Sequence, residues 1–69
     1  MLIDHLALAE RHVAEGATIL ERQRALIKER SRAGQSVEDA EELLRSMEET
    51  QEMHIADRER IRRELAKLD

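Results

Sequence analysis

The sequence contains no cysteine, no proline and no aromatic residue, and it has only two glycines. Without cysteine the chain can form no disulfide, carry no thiol nucleophile and bind no zinc through thiolates. With no proline and so little glycine, few positions interrupt a regular backbone, so long helices are expected. No apolar run approaches the roughly 18 residues that cross a bilayer. These absences predict a cytoplasmic protein with no membrane partner.

The charge balance is mildly acidic, with 12 basic and 16 acidic residues and a formal net charge of −4. Affinity for nucleic acid comes from an excess of Lys and Arg that neutralises phosphates. Nucleic acid is therefore not an expected partner. Acidic and basic side chains alternate along much of the chain, which is typical of intrahelical ion pairs on solvated helix faces.

A short break near the middle of the chain divides one long helical pattern into two. Gly34 follows the last periodic residue of the first segment, where a left-handed residue commonly ends a helix. Ser36 is the predicted N-cap of the second helix, with Asp39 at the reciprocal position three residues later. We expect helix 1 over about 2–33, a turn at 34–36 and helix 2 over about 37–68.

Apolar residues recur at alternating steps of three and four in both segments, which is the heptad rhythm of packed helices. Charge follows the helix dipole, with acidic residues opening the second helix and basic residues near the end of each. The predicted apolar interface consists of Leu6, Val13, Ile19, Leu20, Leu26, Ile27, Leu43, Leu44, Met47, Ile55, Ile61 and Leu65.

A turn this short makes the two helices antiparallel neighbours. The predicted fold is all-α: one helical-hairpin domain over residues 1–69. Two helices side by side bury only part of so wide an apolar stripe, and a large exposed apolar patch usually marks an interface. Pairing two hairpins by two-fold symmetry, as a four-helix bundle or coiled coil, would bury the rest. We therefore expect a homodimer.

Polar residues interrupt the apolar seam near its middle. Folding about the turn places residue n roughly opposite residue 70 − n, which gathers a polar layer of His12, Gln51, His54 and Arg58. Such a layer commonly fixes register and oligomeric state. The second interpretation is a metal site on His12 and His54, although neither histidine belongs to a Glu-x-x-His motif. The third interpretation is that the seam histidines sense pH, because a neighbouring Arg58 would oppose their protonation.

Gly16 lies inside the first helix, where glycine costs about 1 kcal/mol relative to alanine. Close packing against the second helix is the favoured interpretation, and a kink or ligand gap is the other. Neither glycine belongs to a phosphate-cradling loop, and no Ser/His/Asp arrangement can be built. We therefore expect no catalytic residues, no cofactor and no enzymatic activity.

The segment His12-Val13-Ala14-Glu15-Gly16, followed by Ile19, Arg22-Gln23-Arg24 and Leu26-Ile27, resembles short uncharacterised alphaproteobacterial proteins. The resemblance continues through Ala40, Leu43-Leu44, Glu48, Gln51, His54 and Arg58. The turn departs from that set, which favours Gly-x-Asp/Ser-Thr where this chain has Val37 after Ser36. The resemblance implies a helical hairpin and brings no known activity.

The sequence thus predicts a structural or protein–protein interaction module whose expected partner is a second copy of itself. The alternatives are a regulatory protein that binds a different helical partner, Rop-like RNA binding and histidine-based metal binding. An RNA-binding hairpin dimer would need one coherently basic face.

Overall fold

The computed structural model describes residues 1–68, which form two α-helices and contain no strand. Helix α1 spans Leu2–Arg32 and helix α2 spans Glu38–Ala66, and the two pack against each other as a hairpin. The prediction of an all-helical, two-helix fold is confirmed. Both helices end within two residues of the predicted bounds, and Asp69 lies outside the described residues. Neither helix is long and apolar enough to cross a membrane.

The end of α1 is closed by glycine as the sequence predicts. Gly34 has φ of +74°, in the left-handed region. Its amide donates to the Ser31 carbonyl at 3.1 Å, and the Gln35 amide donates to the Arg30 carbonyl at 2.9 Å. These two bonds form a Schellman motif, which satisfies carbonyls that the end of a helix would otherwise leave unpaired.

The predicted cap of α2 requires a correction. The N-cap is Val37, one residue later than Ser36, and no side chain makes a capping hydrogen bond there. The Val37 carbonyl accepts the first bond of α2 from the Glu41 amide at 2.8 Å. Ser36 therefore lies one residue too early to cap the helix. Asp39 lies in the first turn, where its charge complements the helix dipole.

The hairpin is long and thin. Its principal extents are 56 × 14 × 13 Å, with a radius of gyration of 16.0 Å. A compact domain of this length would have a radius of gyration of about 11 Å. The two helices thus form a single layer, and each can bury only the stripe that faces the other.

The core of this layer is correspondingly small. Four apolar residues are buried, namely Ala9, Leu20, Ala40 and Ile61, and no large side chain in the described chain is less than 2% exposed. Of the predicted interface, Leu20 and Ile61 are buried, while Leu6, Val13, Ile27, Leu44, Met47 and Leu65 are half-buried. Ile19, Leu26, Leu43 and Ile55 are exposed.

The exposed residues divide between two sides of the hairpin. One side, the groove face, contains Ile19 and Leu43, which line a surface groove between the helices. Leu26 lies on the same face because it is seven residues beyond Ile19, two turns along the same row. The other side, the charged face, contains the cross-helix ion pairs Arg24–Glu48 at 3.4 Å and Glu10–Arg62 at 3.7 Å. Ile55 lies on the charged face because it is seven residues from both Glu48 and Arg62, on the row of α2 that forms these pairs.

Candidate interaction groove

A groove of about 340 Å³ runs along the middle of the groove face. Its apolar walls are Ile19 from α1 with Leu43 and Met47 from α2, and Gly16 leaves space between them. Its remaining lining residues are polar: His12, Glu15, Ser46, Thr50, Gln51 and His54. The groove is therefore an apolar slot with hydrogen-bonding groups around it, which is the usual composition of a binding site.

Gln51 packs directly against Gly16. A Cβ at position 16 would overlap the Gln51 side chain, with its Cδ only 2.8 Å away. Since α1 continues unbroken through Gly16, the structure favours the packing interpretation over a kink. Gly16 makes room for the Gln51 amide. Its cost is a helix propensity lower than that of alanine.

The Gln51 amide is only half satisfied within the hairpin. Its Nε2 donates to the Val13 carbonyl of α1 at 2.8 Å. Its Oε1 is buried and accepts no hydrogen bond from any residue in the described chain, although Gln51 as a whole is only 8% exposed. A buried acceptor of this kind costs free energy until a donor reaches it.

A second glutamine makes an equivalent contact nearer the turn. Gln23 is buried in α1 and its Nε2 donates to the Ala40 carbonyl of α2 at 2.8 Å. Each helix thus sends one amide to the backbone of the other. Gln23 was not part of the predicted polar layer. The sequence does contain a sign of this contact, because Gln23 lies on the seam row seven residues beyond Gly16. The residue that it meets, Ala40, is small.

The two groove histidines touch each other. The rings of His12 and His54 have centroids 5.1 Å apart and planes tilted by 50°. Both side chains are half-buried. On this face His12 thus meets a residue four positions, about one turn, before Arg58, which the residue count placed opposite it. On the charged face the ion pair Arg24–Glu48 lies two positions from the predicted pairing in the other direction.

Three members of the predicted polar layer therefore meet in the groove, and the fourth does not. Arg58 lines neither this groove nor its neighbour, and its Nη2 pairs with the adjacent Glu59 at 3.0 Å. Arg58 still lies one turn beyond His54 on α2, and both side chains are half-buried. The pH-sensing role stays a prediction.

A smaller cavity of about 250 Å³ continues the groove face toward the chain ends, between Leu8 and His12 of α1 and Ile61 of α2. Arg60 lies at its edge and donates to Asp57 and Glu64 on its own helix. The hydrogen bond to Asp57 is the largest cause that raises the Arg60 pKa above its usual value, followed by the bond to Glu64. The Arg60 charge is thus already compensated within α2.

Comparison with protein families, curated proteins and solved structures found no match. The groove must therefore be interpreted from its own geometry. Residues 1–68 contain no group of three or more His, Asp or Glu side chains that could enclose a metal ion. The groove presents an apolar surface bordered by a pair of imidazoles.

Proposed function

We propose that this protein is a non-enzymatic interaction module in which two hairpins pair through their groove faces to form a four-helix bundle. The observation that carries the proposal is the apolar groove face on a molecule only one helix layer thick. Helical domains normally bury their apolar stripes between at least two packed layers. A second hairpin supplies the missing layer.

The groove face favours a second copy because its rim is complementary to itself. Glu15 lines the groove, and Arg22 lies seven residues further along the same row. A two-fold axis that passes between them would bring each copy's Glu15 toward the other copy's Arg22. Isologous pairing of this kind uses one patch twice and closes the assembly.

The apolar content of the face also suits a homodimer. Ile19, Leu26 and Leu43 are 46%, 40% and 50% exposed. Burying the remaining area of each would contribute about 1 kcal/mol per side chain, counted twice in a symmetric dimer. The charged face offers a smaller gain, because Ile55 is the one exposed member of the predicted interface there and charged side chains form ion pairs across the helices on that face.

The test is sedimentation equilibrium over a hundredfold range of concentration, with helicity measured on the same samples. The wild type is expected to sediment at twice the chain mass. Ile19→Lys places a charge in the groove and is expected to shift the equilibrium toward monomer by at least tenfold in the dissociation constant. Ile55→Lys is the matched control, since Ile55 is 38% exposed but lies on the charged face. It is expected to leave the dissociation constant within about twofold.

Equal weakening by both variants would overturn the assignment to the groove face. A wild type that remains a helical monomer throughout would overturn the homodimer itself. The groove face would then belong to an amphipathic helix of another protein, which is the alternative role for the same surface.

A further inference from the structure

We propose that His12 and His54 form a binding site for a divalent transition-metal ion of the zinc, nickel or copper class, within a single hairpin. The two imidazoles come from different helices and lie side by side in the groove. The site therefore depends on the hairpin being folded and joins α1 to α2 near their midpoints. It does not rest on the proposed dimer.

The separation of the rings matches what such an ion requires. With metal–nitrogen bonds of about 2.0–2.1 Å and a tetrahedral angle of about 109°, two bound imidazoles have centroids about 5 Å apart. The His12 and His54 centroids are 5.1 Å apart. The χ2 torsion of histidine is broad, so each ring can turn one nitrogen toward a shared ion while its centroid stays nearly in place.

The surroundings allow an ion to enter and stay. Both histidines are half-buried and border the open groove, so solvent reaches them. Glu15 lies one turn beyond His12 and lines the same groove, and its carboxylate is the only acidic side chain in that lining. A nearby negative charge lowers the cost of holding a dication. The basic residues of the chain do not line this groove.

Two protein nitrogens make an open site, with the remaining positions taken by water. Imidazole ligands favour Cu²⁺, Ni²⁺ and Zn²⁺ over Mg²⁺ and Ca²⁺, which require oxygen-rich shells. In a groove-face dimer the imidazoles of the partner could replace some of that water. The ion would then strengthen the contact between helices by binding the folded state alone.

The test is titration of the intact protein with Zn²⁺ or Ni²⁺, followed by calorimetry and by thermal melting. At a metal concentration of ten times the dissociation constant, the melting temperature is expected to rise by about 10 °C. Mg²⁺ at the same concentration is expected to leave it unchanged. His12→Gln and His54→Gln are each expected to weaken binding by at least about tenfold.

His5→Gln is the matched control, because His5 is an exposed histidine two turns from His12 on the same helix, about 10 Å away. It is expected to bind Zn²⁺ with wild-type affinity. NMR of the imidazole protons gives a readout that does not depend on stability: Zn²⁺ should shift the His12 and His54 signals and spare His5. Wild-type affinity in both single variants, or equal shifts at all three histidines, would overturn the site.

Discussion

The contact between Gly16 and Gln51 determines how each of these residues can be changed. Gly16→Ala is expected to destabilise the protein by about 1 kcal/mol, because the new Cβ displaces the Gln51 amide and breaks its bond to the Val13 carbonyl. That loss, about 2 kcal/mol with the buried donor left unpaired, exceeds the gain of about 1 kcal/mol in helix propensity. In a Gln51→Ala background, Gly16→Ala should instead stabilise the protein, since the new Cβ then displaces no side chain. Urea unfolding of the four proteins, followed by helicity at one protein concentration, measures both effects. If Gly16→Ala changes the free energy of unfolding in the same direction in both backgrounds, the packing of Gln51 against Gly16 would be wrong.

At the residue scale, the sequence revealed which polar residues lie on the seam but not which of them meet. His12, Gln51 and His54 line one groove, and Arg58 does not line it. His12 meets His54 rather than Arg58, a difference of four residues that counting back from the turn does not resolve. Gly16 was recognisable as a packing residue, but its partner was not.

The turn is the element whose backbone depends most on one residue. Gly34→Ala is expected to cost about 1 kcal/mol, because φ of +74° is unfavourable for any residue that has a Cβ. No atom within 4 Å of that position would clash with the new methyl, so the cost is conformational rather than steric. Gly34→Asn should cost less, since asparagine tolerates the left-handed region. Thermal unfolding of both variants checks that asparagine destabilises the protein less than alanine. An alanine variant as stable as the wild type would contradict the prediction.

At the scale of elements the sequence was informative, because its signals were local. The heptad rhythm located both helices, and Gly34 located the end of α1. The start of α2 was misplaced by one residue because Ser36 matches the capping pattern while the chain begins its helical bonds from Val37. A capping pattern describes a side-chain preference, and it does not specify the residue at which the backbone begins its helical hydrogen bonds.

For the whole molecule, the proposed dimer makes stability depend on protein concentration. Unfolding coupled to dissociation is expected to raise the melting temperature as concentration increases, and Ile19→Lys should reduce that dependence. Melts of the wild type and this variant across a hundredfold concentration range provide the measurement. A wild-type melting temperature that stays constant would favour a hairpin that unfolds as a monomer.

The sequence also predicted the width of the apolar stripe, but it could not divide that stripe between two faces. Leu43 and Ile55 both flank the seam of α2, and only the pairing of the helices shows that they lie on opposite sides. Ion pairs between helices, such as Arg24–Glu48, identify the charged face. Counting back from the turn places Arg24 opposite Ser46, and the ion pair instead joins Arg24 to Glu48, two residues further along α2.

The two glutamine contacts differ greatly in the length of chain that each one closes. Gln23 meets Ala40 across 17 residues, whereas Gln51 meets Val13 across 38. Closing a shorter loop costs less entropy, so contacts beside the turn form first and bring the next ones within reach. Folding of the hairpin is therefore expected to proceed from the turn outward, with Gln23 engaged before Gln51. The groove lies between the turn and the chain ends, so by this argument it assembles after the turn and before the ends.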